Sequence, residues 1–369
     1  MTPLTGARRL VLKIGSSLLV DDNGEINRPW LDAVADDLAA WRARGIEVIV
    51  VTSGAVAVGR RQLALGKGPL RLDEKQAAAA AGQIRLAHAY QESLARHALS
   101  VAQVLLTLDD SENRRRYLNA RNTLDTLLRL GAVPVINEND TVATAEIRVG
   151  DNDRLAARVA QMIGADTLVL LSDIDGLYTA NPRQDATARF IPHVHELTAE
   201  IEAMAGDPGS SHGTGGMVTK LMAARIALAA GCRMAITLGS PLHPLRALEE
   251  GGRCTWFHPH DEPLTARKQW IAGSVKPQGS LTVDAGAQRA LKKGGSLLPA
   301  GVTALEGDFQ KGDTVVVLSP EGRAVARGLS AYSAEDARLI IGHKSPDFER
   351  LLGYRGPDVL IHRDDMVLD

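Results

Sequence analysis

The sequence is poor in cysteine, with Cys232 and Cys254 as its only two in 369 residues. They form no Cys-x-x-Cys unit and have no histidine at zinc-finger spacing, which excludes a structural zinc site of that type and favours a reducing compartment. We interpret both as core residues. The ten histidines are scattered and show no pattern typical of a metal site, so the sequence predicts no metal ion held by the protein alone.

Long apolar runs are missing as well. The first run, 10–14, contains Lys13, which is atypical of a signal peptide. The longest, 46–58, is interrupted by polar residues and is too short to cross a bilayer. Neither sign of charge prevails, since 42 Lys and Arg stand against 44 Asp and Glu with a formal net charge of −2, and this excludes bulk attraction to nucleic acid or to a membrane. We therefore expect a soluble, cytoplasmic protein without a membrane partner.

A Walker A phosphate loop is absent too, because Gly-x-x-x-x-Gly-Lys-Ser/Thr occurs nowhere. The chain has a different candidate in Gly213-Thr214-Gly215-Gly216-Met217, which precedes a predicted helix with Lys220 in its first turn. Such a segment is commonly no more than a flexible loop. It is also typical of backbone amides gathered at the positive end of a helix, where nucleotide phosphates bind.

The chain length fits two domains. Through residue 262, β-branched runs alternate with helical patterns, which predicts an α/β fold with an open, mainly parallel sheet sandwiched by helices. Prolines and glycines then predict a linker at 263–278, followed by a small β-rich domain at 279–355. The charged tail at 356–369 is expected to form an arm or an edge strand. Strands are predicted at 9–14, 47–52, 101–105, 133–136, 167–171 and 234–237, and helices at about 31–44, 75–97, 113–130, 153–163 and 217–230.

Polar residues and glycines directly follow four of the predicted strands. They are Gly15-Ser16-Ser17, Ser53-Gly54, Asn137-Glu138-Asn139-Asp140 and Ser172-Asp173. In parallel sheets of this kind, ligands bind outside the carboxyl ends of the strands. We therefore expect these segments to converge on one edge of the sheet.

Lys13 stands inside the first apolar strand, although a lone lysine usually lies on the surface. Gly15 follows it closely, and the absence of a side chain there lets the backbone approach a phosphate, while Ser16 and Ser17 add donors. Lys13 and Lys220 together predict a pair of ammonium groups that neutralise a migrating phosphoryl group.

Two dense polar stretches, Asn137–Asp140 and Asp151–Asp153, lie between these lysines in the chain. Taken alone, the first is typical of a turn and the second of a helix cap. A calcium loop is excluded because its glycine and glutamate are missing. Carboxylates and amides together suit a ligand with an ammonium and a carboxylate group, and Asp140 or Asp151 would face the ammonium. The Ser53 hydroxyl would contact the same ligand.

At these residues the chain resembles the amino-acid-kinase family, in its glutamate 5-kinase branch with a C-terminal PUA domain. The resemblance covers nearly the whole chain, and its most specific segments are 134–140, 149–153 and 213–220. It implies ATP-dependent phosphorylation of the γ-carboxylate of L-glutamate to L-glutamyl 5-phosphate, the first step of proline biosynthesis. The implied cofactors are ATP and Mg²⁺, with the ion held mainly by the ATP phosphates.

The resemblance also implies roles for individual residues. Catalysis would depend on Lys13, Lys220 and Asp153, with the carboxylate positioning the two lysines. Glutamate would be bound by Ser53, Asn137, Asp140, Asp151 and Asn152. ATP would be bound by Lys13, Gly15, Ser172, Asp173, Thr214, Gly215, Gly216, Met217, Val218, Thr219 and Lys220.

Regulation and partners follow from the family as well. It implies feedback inhibition by proline, self-association as a dimer or tetramer, and a reductase that consumes the product. Because a glutamate γ-carboxyl with a reference pKa near 4.3 is already ionised at neutral pH, the reaction needs no general base. Catalysis would then consist of positioning and charge neutralisation.

Two alternatives remain open at this point. Another member of the family, such as an acetylglutamate, aspartate or uridylate kinase, would share the fold but accept a different group. RNA binding is the second alternative, because PUA domains commonly bind RNA. Residues 279–355 hold ten Lys and Arg against nine Asp and Glu, which is far from the basic surface that RNA requires, so RNA is not an expected partner.

Overall fold

The computed structural model describes residue 4 and residues 6–66, 68–142, 151–205, 215–260 and 277–368. The chain divides into two compact units, one formed by Met1–Glu112 and Ala120–Pro263 and the other by Asn113–Asn119 and Leu264–Asp369. Most of the predicted linker, 263–276, lies outside the described residues. None of the helices in the described ranges is long and apolar enough to span a membrane.

An eight-stranded sheet forms the centre of the first unit. The strands up to residue 260 are β1 (Arg9–Ile14), β2 (Glu47–Thr52), β3 (Val101–Leu106), β4 (Val133–Glu138), β5 (Thr167–Ser172), β6 (Leu177–Tyr178), β7 (Phe190–Ile191), β8 (His193–Val194), β9 (Arg233–Leu238) and β10 (Cys254–Phe257). The sheet has the order β3-β4-β2-β1-β5-β9-β10-β8, while β6 and β7 pair with each other outside it. Within the sheet only the β9–β10 pair is antiparallel. The prediction of a mainly parallel sheet is confirmed.

Helices connect these strands. They are α1 (Ser16–Leu19), α2 (Arg28–Ala43), α3 (Ala55–Gln62), α4 (Leu72–Ala95), α5 (Leu108–Glu112), α6 (Arg114–Arg129), α7 (Asp151–Ile163), α8 (Ala199–Ala203), α9 (Gly215–Ala229) and α10 (Pro244–Glu249). Asn27 caps α2, since its side chain accepts from the amide of Trp30.

The two faces of β1 have different neighbours. Leu10, Leu12 and Ile14 pack in one apolar cluster with residues of α2 and α4. Alternate strand residues point to opposite faces, so Lys13 lies on the other face, where α7 contacts β1. This alternation places a lysine inside the helix-covered layer of the fold.

Several elements of the first unit were not predicted from the sequence, among them the short elements α1, α5, α8, α10, β6, β7 and β8. No helix was assigned to α3, which begins immediately after Gly54 at φ 109°, a left-handed conformation that suits glycine and ends β2 abruptly. The antiparallel strand β10, between β9 and β8, was not assigned either, because its four residues are too few for a periodic pattern.

The second unit is built on a five-stranded sheet in the order β12-β11-β13-β14-β15. Its elements are β11 (Gly279–Val283), α11 (Ala285–Lys292), β12 (Val302–Gly307), β13 (Thr314–Leu318), β14 (Ala324–Leu329), α12 (Ala334–Ile340), α13 (Phe348–Leu352) and β15 (Met366–Leu368). Leu281, Phe309, Val315 and Tyr332 are buried in its core.

The C-terminal residues are part of this second unit. β15 pairs with β14 at the edge of the sheet, and Leu360 and Ile361 are fully buried in its core. Sequence analysis separated 356–369 from the β-rich domain as a tail because this stretch is charged. Its few apolar residues are nevertheless the ones that pack.

Candidate active site

Lys13 and Lys220 meet at one carboxylate, that of Asp153. The Lys13 Nζ lies 2.7 Å from Asp153 Oδ1, and the Lys220 Nζ lies 3.3 Å from Asp153 Oδ2. All three are buried, with exposures of 7%, 8% and 1% for Lys13, Lys220 and Asp153. One negative and two positive charges leave a net positive site, which attracts an anion.

Three elements deliver these side chains to the same point. Lys13 is the penultimate residue of β1, Asp153 lies in the first turn of α7, and Lys220 lies in the second turn of α9. The hydroxyl of Thr219 donates to Asp153 Oδ2 at 3.0 Å. The Lys220 ammonium also donates to the carbonyl of Gly216 at 3.3 Å.

Two glycines keep space beside the ammonium groups. A Cβ atom at Gly15 would lie 3.7 Å from Lys13 Nζ, and one at Gly216 would lie 3.8 Å from Lys220 Nζ. The backbone on either side of the lysine pair is therefore bare, and a phosphate is able to approach it closely.

Burial and charge shift the pKa values in this cluster. Burial lowers the pKa of Lys13, and the neighbouring Lys220 lowers it further against the opposing attraction of Asp153. Burial alone would raise the pKa of the Asp153 carboxyl, but the two ammonium groups and Thr219 outweigh it, and the pKa lies below its ordinary value. Asp153 is thus an anion at neutral pH.

The side chains of Ser53, Asn137 and Asn152 form a second group of contacts, here called the amide cluster, and Asn152 directly precedes Asp153 in the sequence. The Asn152 Nδ2 donates to the carbonyl of Thr52 at 2.8 Å, to Ser53 Oγ at 2.7 Å and to Asn137 Oδ1 at 3.1 Å. These partners belong to the carboxyl ends of β2 and β4. The structure thus brings Ser53, Asn137 and Asn152 together, as the sequence predicted.

The other two residues predicted to bind glutamate, Asp140 and Asp151, are only partly described by the structure. Asp140 is buried just beyond β4 and is engaged in a polar interaction. Asp151 begins α7, but its side chain lies outside the described part of the chain. The predicted roles of both residues stay predictions.

A cavity of about 430 Å³ is lined by Lys220. Five residues predicted to bind ATP line it, namely Ser172, Asp173, Gly216, Met217 and Lys220. Gly215, Val218 and Thr219 belong to the first turns of α9, which borders the cavity. Thr214 lies outside the described residues.

Sequence reasoning missed several residues of this site. Tyr178, Asn181 and Arg183 line the cavity, and Arg183 Nη2 lies 3.4 Å from Asp173 Oδ2. No motif marks them, because Tyr178 ends the two-residue strand β6, and Asn181 and Arg183 follow it in irregular chain. Gln83 was missed as well: its Oε1 accepts from Asn137 Nδ2 at 2.7 Å.

Known protein families match most of this chain. The profile of the amino acid kinase family matches residues 8–237, and that of the PUA domain matches residues 279–352. The glutamate 5-kinase of Paramagnetospirillum magneticum is 70% identical over 100% of both chains. That of Rhodospirillum rubrum is 65% identical over 97% of this chain and 96% of its own.

This chain belongs to the glutamate 5-kinases of the amino acid kinase family. The resemblance inferred from the sequence is therefore confirmed. A solved structure, carbamate kinase from Giardia lamblia bound to AMP-PNP, has a TM-score of 0.51 with 16% identity, covering 69% of this chain and 99% of its own. At that identity it shows the shared fold alone.

The glutamate 5-kinase family membership implies the use of ATP. Within the described ranges, no group of three or more His, Cys, Asp or Glu side chains is placed to hold a metal ion. The carboxylate nearest the lysines, Asp153, is already paired with both of them.

Proposed function

We propose that this kinase transfers the γ-phosphoryl group of ATP to the γ-carboxylate of L-glutamate and so forms L-glutamyl 5-phosphate. The observation that carries the proposal is the pair of ammonium groups on Asp153, of which Lys220 lines a cavity, with the amide cluster of Asn152 directly before Asp153 in the chain. The family membership supports the choice of glutamate.

The reaction brings one anion against another. A bond forms between a γ-carboxylate oxygen and the γ-phosphorus, while the bond from that phosphorus to its bridging oxygen breaks and ADP leaves. The attacking carboxylate is ionised at neutral pH, so no proton has to be removed. Lys13 and Lys220 neutralise charge on the transferred group, and this matters most in the loose transition state of phosphoryl transfer.

Asp153 has a positioning role in this mechanism. It holds both lysines in fixed places without occupying the bare backbone at Gly15 and Gly216. Because the lysines are prearranged, little reorganisation is needed when the phosphoryl group arrives. The carboxylate does not act as a base, since its lowered pKa makes it a weak proton acceptor.

The acceptor lies against the amide cluster. Asn152 and Ser53 contact the substrate, Asn137 supports Asn152, and Asp140 offers a carboxylate to the substrate ammonium. Asp151 is proposed as a second carboxylate for this ammonium.

The nucleotide occupies the cavity lined by Asp173 and Met217, with its phosphates towards Gly216 and Lys220. The beginning of α9 adds backbone amides at the positive end of a helix, where phosphate is favoured. Mg²⁺, when bound by the ATP phosphates, would screen their charge and orient them.

The direct test is an assay of ATP turnover with L-glutamate in which hydroxylamine traps the acyl phosphate as a hydroxamate. N-acetylglutamate, aspartate and UMP serve as alternative acceptors in parallel reactions. We expect ADP and hydroxamate in equal amounts with L-glutamate only. ADP release with another acceptor and none with L-glutamate would refute the proposal.

Several family properties stay predictions. They are feedback inhibition by proline, self-association as a dimer or tetramer, association with a glutamate-5-phosphate reductase and residence in the cytoplasm. Adding L-proline to the same assay tests the first, and a sedimentation measurement tests the second.

A further inference from the structure

Three side-chain amides form a chain of hydrogen bonds behind the proposed acceptor site. Asn152 Nδ2 donates to Asn137 Oδ1 at 3.1 Å, and Asn137 Nδ2 donates to Gln83 Oε1 at 2.7 Å. In both hydrogen bonds the donor is the residue nearer Asn152 and the acceptor is the residue nearer Gln83. Its two ends, Asn152 Oδ1 and Gln83 Nε2, are buried and have no hydrogen-bond partner among the residues that the structure describes.

The direction of this chain is set by its neighbours. An amide turned by 180° exchanges its donor and its acceptor. The carbonyl of Thr52 only accepts, so the Asn152 Nδ2 must face it, at 2.8 Å. The Asn137 Oδ1 must then accept from Asn152, which leaves the Asn137 Nδ2 in need of an acceptor. Gln83 supplies that acceptor from within α4.

We propose that Gln83 is a positioning residue that fixes the direction of these amides and so keeps the carbonyl oxygen of Asn152 available for the ammonium group of the acceptor amino acid. This inference rests on the proposed function. An ammonium group only donates, so it needs an oxygen opposite it. If the Asn137 amide lost its partner and turned, its NH₂ group would face the NH₂ group of Asn152, and neither would have an acceptor there. That repulsion would push the Asn152 amide away from the Thr52 carbonyl, so its oxygen would no longer be held in place for the ammonium group.

Gln83 is suited to this role by its burial. It is 8% exposed, and it lies on α4 next to Gly82, whose bare backbone lets α4 approach α3. A buried acceptor matters more than an exposed one, because no water replaces it when it is lost.

The test compares Gln83→Leu, which removes the acceptor, with Gln83→Glu, which keeps an oxygen for Asn137 in either protonation state. Ser93→Ala is the matched control, since Ser93 is also buried on α4 and its Oγ has no partner among the described residues. For each protein the KM values for L-glutamate and for ATP, kcat and the melting temperature are measured, and calorimetry gives the dissociation constant of L-glutamate.

We expect Gln83→Leu to weaken L-glutamate binding by about tenfold or more, as loss of polar complementarity in a buried site does, while the KM for ATP changes less than about twofold. Gln83→Glu should restore most of the lost affinity, and Ser93→Ala should match the wild type. Should Gln83→Leu fail to fold, Gln83→Met is measured in its place.

The inference is overturned if Gln83→Leu binds L-glutamate as tightly as the wild type does. It is also overturned if the KM for ATP rises as much as the dissociation constant of L-glutamate, or if Gln83→Glu loses as much affinity for L-glutamate as Gln83→Leu. These outcomes are distinct from failure of the proposed function. A wild type that does not turn over L-glutamate refutes the function itself, whereas an active wild type with an equally active Gln83→Leu refutes only the role of Gln83.

Discussion

Lys13 and Lys220 are ion-paired with the two different oxygens of one buried carboxylate, at 2.7 and 3.3 Å. They come from a strand and a helix at opposite ends of the first unit's sequence, so the fold alone brings them together. Two ammonium groups this close repel each other, and Asp153 is what makes the arrangement stable. In the proposed reaction, the charge of the terminal phosphate would join that of Asp153 in holding the pair.

Replacing Asp153 should therefore damage the fold as well as the reaction. Asp153→Asn leaves two buried ammonium groups without their anion, and removing one partner of a buried ion pair costs about 3–5 kcal/mol. Urea denaturation measures this loss. The exposed Asp22→Asn variant is the control and should stay within about 0.5 kcal/mol of the wild type. Equal stability of the two variants would contradict the role of Asp153.

Removing one lysine should separate chemistry from acceptor binding. We expect Lys220→Ala to lower kcat by about 10²–10³, the loss typical of one transition-state donor, while L-glutamate still binds, because the amide cluster does not involve Lys220. Calorimetry with L-glutamate and steady-state kinetics check this. Lys292→Ala, in α11 of the second unit, is the control. Wild-type turnover in Lys220→Ala would remove the mechanism.

As the pH is raised, kcat should fall at a lower pH than it would if Lys13 had the pKa of an ordinary lysine. Burial lowers the pKa of Lys13 in the folded protein, whereas the unfolded chain keeps the usual value near 10.4. The ammonium form, and with it kcat, is lost as the pH rises through the lowered pKa.

Loss of the Lys13 proton changes the free energy of unfolding in the opposite direction to its effect on kcat. In that pH range the unfolded chain binds more protons than the folded one, so raising the pH does not weaken the fold through Lys13. A pH profile of kcat, measured with the melting temperature at each pH, distinguishes the two. A kcat that stays constant up to about pH 10.4, or one that falls only where the protein melts, would contradict a lowered pKa for a required Lys13.

The close contact of α3 with α4 should not tolerate a methyl group. A Cβ atom at Gly82 would lie 1.9 Å from the carbonyl oxygen of Ala55, which begins α3 directly after Ser53-Gly54. We expect Gly82→Ala to cost roughly 1–3 kcal/mol of stability and to raise the KM for L-glutamate. Gly66→Ala is the control, since a Cβ there meets nothing within 4 Å. If both variants unfold at the same urea concentration, the packing argument is wrong.

Much of the fold was predictable because its strands are short apolar runs with clear ends. β1 and β2 were predicted at their observed bounds. The strand-end rule also directed attention to Ser53, Asn137 and Ser172, since polar side chains directly after buried strands need a reason to be there. Lys13 stood out for the same reason, as a charge within an apolar strand.

The rest was hidden because it depends on packing across distant segments. Gln83 lies in an alanine-rich stretch of α4, and nothing in its neighbourhood in the sequence distinguishes a side chain that supports Asn137 from one that faces solvent. The hydrogen bond of Tyr90 with Thr52, at 2.8 Å, is similar. Both become visible only when α4 is placed beside the ends of β2 and β4.

The central claim is that Lys13 and Lys220 act on the same transferred group as one unit, and a double-mutant cycle on kcat tests it most directly. Lys13→Met, Lys220→Met and the double variant are compared in the hydroxamate assay, with circular dichroism to confirm folding. Residues that act as a unit give strongly non-additive losses. We predict that each single variant loses at least about 10² in kcat and that the double variant is little slower than the slower single one. Losses that multiply, or a single variant with wild-type kcat, would contradict the account.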